Sequence, residues 1–392
     1  MALVGVPVLA LGLAVGVADA SGAGRITVYT SNSISGPLRI AAGPDGALWF
    51  TNSDSNSIGR ITTTGAVTSF GAGGRDPRGI TAGPDGALWF TNYGTNSIGR
   101  ITTAGKVTIY TGTRVKSPLG IAAGPDGALW FTNEFGNSIG RITTAGKITT
   151  FTSTRVNRPL WITAGPDGTL WFTNSNLSIG RITTAGKVTT FTGAGISHPD
   201  DITAGPDRAL WFTNFDFGSI GRITTTGKVT TYPVPGGPVI AGIAAGPDGA
   251  LWFTDENVNS IGRITTAGKV TTYTATGIDS PTGIAPGADG AMWFTNPSAG
   301  GFGDAIGRIT TTVTPQIRGF TPTSGAAGTM VTITGQNLSR ATKVAFNGTT
   351  AAVVSDTATK IVATVPAGAT TGPISVTTRA GTATSHGTFT VT

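Results

Sequence analysis

The stretch Gly43-Pro44-Asp45-Gly46-Ala47-Leu48-Trp49-Phe50-Thr51-Asn52 decides the fold, because the chain repeats it seven times. Further copies begin at Gly83, Gly124, Gly165, Gly205, Gly246 and Gly287, with single substitutions such as Thr169, Arg208, Asp255, Ala288 and Met292. The period is therefore 40 or 41 residues. Each copy passes through a variable stretch into Ile-Gly-Arg-Ile-Thr-Thr, whose Arg falls at Arg60, Arg100, Arg141, Arg181, Arg222, Arg263 and Arg308. Most then turn through Thr/Ala-Gly into a Val-Thr-Thr-Tyr/Phe segment. Short β-branched and aromatic runs separated by Gly-rich turns read as strands, four to a copy. Four strands in about 40 residues, repeated seven times, predict a seven-bladed β-propeller.

Ring closure can be read from the ends of the repeat. The seventh copy stops after Arg308-Ile309-Thr310-Thr311, short of its fourth strand, and an orphan Arg25-Ile26-Thr27-Val28-Tyr29-Thr30 stands before the first copy. The N-terminal strand should complete the last blade and remove the open sheet edges. Trp49, Trp89, Trp130, Trp171, Trp211, Trp252 and Trp293, like the turn Asp and strand Arg, recur in every copy. They are expected to be scaffold, because a residue repeated sevenfold cannot mark one site.

Composition excludes several chemistries. Among 392 residues there are 60 Gly, no Cys and 2 His, and only 11% are charged, against roughly 25% in a typical domain. Disulfides, thiolate metal sites, a Cys nucleophile and a three-His centre are thereby ruled out. The net charge of +7 and pI near 9.9 raise nucleic acid as a partner. The basic residues, however, are dispersed over strands, lower turns and mixed loops, with no continuous stripe, so no nucleic acid is expected.

Residues 2–18 are apolar and uncharged, and Ala18-Asp19-Ala20 follows as a small-x-small pattern. Residues 1–20 read as a secretory signal, with the chain secreted or at the cell surface; retention as an anchor is the alternative, since no Lys or Arg precedes the apolar run. No further apolar run exists, so no stable membrane span is expected after cleavage. The propeller should occupy 21–312. Beyond it, 313–392 changes to alternating strands such as Val331-Thr332-Ile333-Thr334-Gly335 and turns such as Pro322-Thr323-Ser324-Gly325. This all-β stretch predicts an immunoglobulin-like β-sandwich and resembles the IPT/TIG family, which implies a spacer or binding module.

In a four-stranded blade the links from second to third strand, and from blade to blade, open on one face, the top. The lower links here are near-constant, and variation concentrates above, where binding usually resides. Ten acids map to the top loops, seven of them in blades 5–7. Arg39, Arg75, Arg78, Arg114, Lys116, Arg155 and Arg158 all lie in blades 1–4. The candidate ligand-binding residues are Arg78, Glu134, Arg158, Trp161, Asp200, Asp201, Phe215, Asp216 and Phe217, since aromatic faces beside polar groups suit sugars and amphiphilic small molecules. Asp201, Asp255 and Glu256 are candidates for a hard, oxygen-bound cation.

The Gly-Pro-Asp-Gly-Ala-Leu-Trp-Phe-Thr and Ile-Gly-Arg-Ile-Thr motifs resemble the virginiamycin B lyase family over residues 25–312. That resemblance implies magnesium-dependent ring opening of streptogramin B antibiotics by elimination, with a His base and acids in top-face loops. It further implies a Pro-His-Ala/Gly-Ile start to the catalytic blades. Here the blade starts read Pro37-Leu38-Arg39-Ile40, Pro77-Arg78-Gly79-Ile80, Pro118-Leu119-Gly120-Ile121, Pro159-Leu160-Trp161-Ile162, Pro199-Asp200-Asp201-Ile202, Ile240-Ala241-Gly242-Ile243 and Pro281-Thr282-Gly283-Ile284. None has the His, the usual base near neutral pH. His198 precedes its Pro and is the candidate catalytic residue. Two functions follow as expectations. The first is a monomeric binding protein whose top face takes a polar small molecule, glycan or protein, with no cofactor. The alternative is a lyase, of the streptogramin type with Mg²⁺ or acting on a polysaccharide.

Overall fold

The computed structural model describes residues 24–215, 218–236, 239–297, 303–311, 315–338, 341–357, 359–378 and 381–392, with the backbone of 13–16. Most of the expected signal segment, and both Asp216 and Phe217, lie outside the described residues. Two compact units emerge, one built on Ile26–Ile309 and the other on Thr310–Thr392.

The second blade shows how the repeated words make a sheet. Pro77–Ala82, Leu88–Asn92, Ser97–Ile101 and Val107–Thr111 pair antiparallel in chain order. Gly83-Pro84-Asp85-Gly86 turns the first strand into the second, with Gly86 at φ +72°, a conformation that suits glycine. Asp85 ties the sheet together. Its Oδ1 accepts the indole N–H of Trp89 at 2.9 Å and its Oδ2 accepts Nε–H of Arg100 at 2.6 Å. Those bonds hold the Asp85 carboxyl below its ordinary range even though burial pushes it up. Trp89 in turn stacks on Tyr110 of the fourth strand, centroids 5.4 Å apart.

The same contacts recur around the ring. Every turn Asp accepts from its Trp, and every strand Arg pairs with its turn Asp, Arg181 more loosely at 3.5 Å. Trp89 and Ile98 of one blade pack with Ile121, Leu129, Phe131 and Ile142 of the next. The sevenfold Trp, Asp and Arg are thus scaffold, as their repetition predicts.

Closure also follows the sequence reading. The last blade is Ile284–Pro286, Ala291–Asn296, Ala305–Thr310 and then the N-terminal Ile26–Thr30, in register from Ile26 opposite Ile309 to Thr30 opposite Ala305. Leu13–Gly16 pairs outside Ile26–Thr30 as a fifth strand. Tyr29 takes the place of Tyr110, stacking on Trp293 at 5.4 Å. The first strands of blades 7 and 1 pack side by side, so each blade has two neighbours.

The second unit orders eight strands with Gln316–Thr321 at one end and Ser324–Gly325 at the other. Val331, Ile333, Val344, Phe346, Ile361, Ile374, Val376 and Phe389 share its own apolar core. Alternation of these residues with exposed Thr and Ser is the period of two that the sequence displays, and the arrangement is that of an immunoglobulin-like domain.

Candidate functional site

The site is built on an irregularity at the start of the first six blades. In the first blade Pro37 opposes Asn52 and the next partners are Ile40 and Phe50, so Leu38 and Arg39 together oppose Thr51. This is a β-bulge, a device that re-aims side chains. Thr51 stabilises it by accepting the Arg39 N–H on Oγ1 at 3.1 Å while donating to the Arg78 carbonyl of the next blade at 2.9 Å. Thr91, Thr132, Thr173, Thr213 and Thr254 likewise donate to the following blade, and Thr295 closes the circle onto Leu38.

The second bulge residue is Gly in three blades, and its equivalent in blade 7 is Gly283; the reason is steric. A Cβ on Gly79, Gly120, Gly242 or Gly283 would lie 2.3–2.8 Å from a carbonyl oxygen of the neighbouring blade. The three blades that place a side chain there carry Arg39, Trp161 and Asp201. These three meet. The Arg39 guanidinium lies 3.6 Å from the Trp161 ring centroid and donates from Nη1 to Asp201 Oδ2 at 3.1 Å. Its Nη2 is 3.8 Å from Asp200 Oδ2. Blade 1 borders blades 2 and 7 only, so a side chain that reaches blades 4 and 5 must cross the mouth of the central channel. Arg39 is accordingly only 13% exposed.

Asp200 and Asp201 are held differently. Asp201 accepts from the N–H groups of Ile202 and Ile243 at 2.9 and 3.0 Å besides Arg39. Among the described residues the Asp200 carboxylate accepts one hydrogen bond, from the Trp161 indole N–H at 3.2 Å. Burial, opposed by Arg39 and reinforced by the charges of Asp201 and Glu256, pushes the Asp200 carboxyl up to about 7. Burial likewise raises Glu256 and Asp255. Asp200 also borders a cavity of about 200 Å³ between blades 4 and 5, lined by Leu160, Ser175, His198, Pro199, Asp200 and Phe215.

A second cluster joins blades 2 to 4. Arg78 pairs with Asp76 at 2.7 Å and lies 5.3 Å from the Tyr93 ring centroid. The Tyr93 hydroxyl donates to Glu134 Oε2 at 3.0 Å, and Arg158 donates to Oε1 at 2.7 Å while covering Phe135. The expected division of the top face into basic and acidic sectors is therefore refined: Arg39, Arg78 and Arg158 each face a carboxylate.

Of the sequence candidates, Trp161, Asp200 and Asp201 come together in the channel, Asp200, His198 and Phe215 share the cavity, and Arg78, Glu134 and Arg158 form the separate cluster. Arg39 and Tyr93 were absent from the candidate set. The signal for Arg39 lay in the blade starts, as a departure from the Gly that four blades keep.

Two matches to the virginiamycin B lyase family cover residues 13–194 and 113–337, and 315–391 match the IPT/TIG domain. A streptogramin B lyase structure is 34% identical, covering 72% of this chain and 95% of that one, at a TM-score of 0.66. Virginiamycin B lyase from Staphylococcus aureus is 37% identical, covering 71% of this chain and 96% of that one, at 0.65. A catalytically inactive His-to-Ala form of that enzyme with quinupristin matches at 37% identity and 0.67, over 73% of this chain and 99% of that one.

The chain belongs to the virginiamycin B lyase family. Within this member the residue after the blade-start Pro is Leu38, Arg78, Leu119, Leu160, Asp200 or Thr282, and Asp200 is the one carboxylic acid among them. The magnesium that the family implies finds no matching ligand set: among the described residues no three His, Asp or Glu side chains gather to hold a metal, Asp201, Asp255 and Glu256 included. Asp201 is already satisfied by Arg39 and two N–H groups. Asp255 accepts the N–H groups of Asn257 and Val258 on Oδ1, and among the described residues its buried Oδ2 has no hydrogen-bond partner.

Proposed function

We propose that this family member is a secreted or surface-held binding protein whose propeller top face takes a polar small molecule or the terminal sugar of a glycan, with the IPT/TIG domain as spacer. The observation that carries this is the cavity between blades 4 and 5, where Phe215, His198 and Asp200 line one small space together with Leu160, Ser175 and Pro199. About 200 Å³ falls below the roughly 300–1,000 Å³ of sites for drug-sized ligands, so the cavity suits one ring or one side-chain-sized group. Aromatic faces beside acceptors recognise such groups by stacking and hydrogen bonding. A glycan and small-molecule array probed with the whole chain tests the reading. We expect hits that Phe215→Ala and Asp200→Asn each weaken about ten-fold, the loss of a well-formed contact; hits that neither variant changes would remove the cavity from the function.

One observation favours the lyase as a second reading. Asp200 directly follows the Pro of a blade start and, with a pKa pushed up to about 7, can accept a proton near neutral pH as a His would. The test is incubation with quinupristin and Mg²⁺, followed by mass spectrometry and chromatography of the ring-opened product. Turnover abolished by Asp200→Asn would establish this reading over simple binding. Intact quinupristin after prolonged incubation would leave binding alone.

A further inference from the structure

The cavity accounts for one side of Asp200. The other side faces Arg39, and the way Arg39 is housed points to a second recognition element. Four blades keep Gly at the second bulge position or its equivalent because a Cβ there presses on the neighbouring strand. Three blades give up that fit, and their side chains assemble one structure: an indole face at 3.6 Å from a guanidinium, one carboxylate at 3.1 Å and another at 3.8 Å. An aromatic face combined with carboxylates is the chemistry that selects guanidinium and ammonium groups. The occupant is seated loosely for its type. Arg39 could present a two-pronged fork to a carboxylate, yet among the described residues one hydrogen bond reaches Asp201, and the contact with Asp200 is too long for a second.

We propose that Trp161, Asp200 and Asp201 form a receptor for a guanidinium or primary ammonium group carried by a ligand, with Arg39 as a tethered resident that the ligand's cation displaces. This rests on the reading that the top face binds a small polar ligand, and it specifies that ligand as cationic. The body of the ligand occupies the cavity beside Phe215 and His198, and its cation passes Asp200 to reach the indole of Trp161. A displaced Arg39 swings back toward blade 1 and opens the channel mouth.

The experiment uses methylguanidinium chloride as the probe, titrated calorimetrically into the whole chain, Arg39→Ala, and Arg39→Ala with Asp201→Asn. Removing the resident should tighten methylguanidinium binding about ten-fold over the wild type, and removing the Asp201 charge should undo that gain. Sodium chloride at equal ionic strength should give no heat of binding. Equal affinity in wild type and Arg39→Ala, or indifference to Asp201→Asn, would overturn the receptor. Should Arg39→Ala fail to fold, the wild type supplies the answer through fluorescence. Methylguanidinium should then produce a saturating change in emission that is lost in Trp161→Phe, and no change would overturn the exchange. Array hits that depend on Phe215 but ignore methylguanidinium would sink this inference and leave the binding reading standing. A methylguanidinium site without array hits would do the reverse.

Discussion

At the residue scale the chain's most informative group is Asp200, since it stands at the junction of cavity, channel and acidic neighbours. Its carboxyl is raised from the ordinary 3.8 to about 7, so the folded protein keeps a proton there that the unfolded chain has already released. The folded state then binds more protons than the unfolded state between pH 4 and 7, and stability from this group is complete below pH 4 and declines as pH rises to about 7. Asp200→Asn fixes the neutral form. It can keep the bond from the Trp161 indole N–H, and it leaves the Arg39–Asp201 contact alone. The variant should therefore match the wild type at pH 4 and be more stable at pH 8, by on the order of 2 kcal/mol given that the side chain retains 23% of its exposure. Thermal melts at the two pH values measure this directly; an equal gain at both would show that the raised carboxyl is not the cause. No sequence pattern announces such a group. Asp200 and Asp201 read as top-loop acids because the residue that meets both, Arg39, lies more than 160 positions away along the chain.

The blade is the next scale, and here the sequence was almost fully legible. Gly-Pro-Asp-Gly gives a turn, Leu-Trp-Phe-Thr an interior strand, and the turn Asp, expected as scaffold from its repetition, is bonded to both Trp and Arg. What periodicity could not show is why Ile-Gly-Arg keeps its Gly. In the third blade a Cβ on Gly140 would sit 2.1 Å from the Phe131 ring of the second strand, and the other blades repeat that contact. The Phe fills the space that a side chain would occupy, so ring and glycine form a single packing unit. Gly140→Ala should cost about 1–3 kcal/mol by overpacking. Combining it with Phe131→Leu should recover part of the loss, because the shorter side chain vacates the contact. Chemical denaturation of the single and double variants decides it: additive losses would mean that the two residues do not share that space. The bulge escaped the sequence reading for a related reason. It inserts one residue without disturbing the apolar pattern on either side, and only the hydroxyl of the following Thr reveals where the inserted residue points.

The whole molecule depends on an element supplied from outside the repeat register. Ile26–Thr30 pairs residue for residue with 305–309, Ile26 and Tyr29 are buried, and the Tyr29 ring closes over Gly65 of the first blade. The sequence exposed this arrangement because an orphan strand at one end matched a missing strand at the other. Removing it leaves an unpaired strand at the point where the ring must join, an edge that invites association with other chains. A chain beginning at Pro37 should lose about 3–6 kcal/mol from two buried side chains alone and elute as aggregates, whereas one beginning at Gly24 should keep the closing strand. The near-identity of the repeats extends the prediction. Val107-Thr108-Ile109-Tyr110-Thr111 of the second blade differs little from Ile26-Thr27-Val28-Tyr29-Thr30, and its Tyr makes the same stack on a Trp. Either segment, added as a peptide, should dock on the open edge by strand addition and raise the melting temperature of the chain that begins at Pro37. A peptide with Tyr replaced by Ser should not, since the ring is what seals the last blade against the first. A truncated chain that stays monomeric with an unchanged melting temperature would mean that the propeller closes through its inner strands alone, by the Thr295 bond to Leu38 and the packing around it.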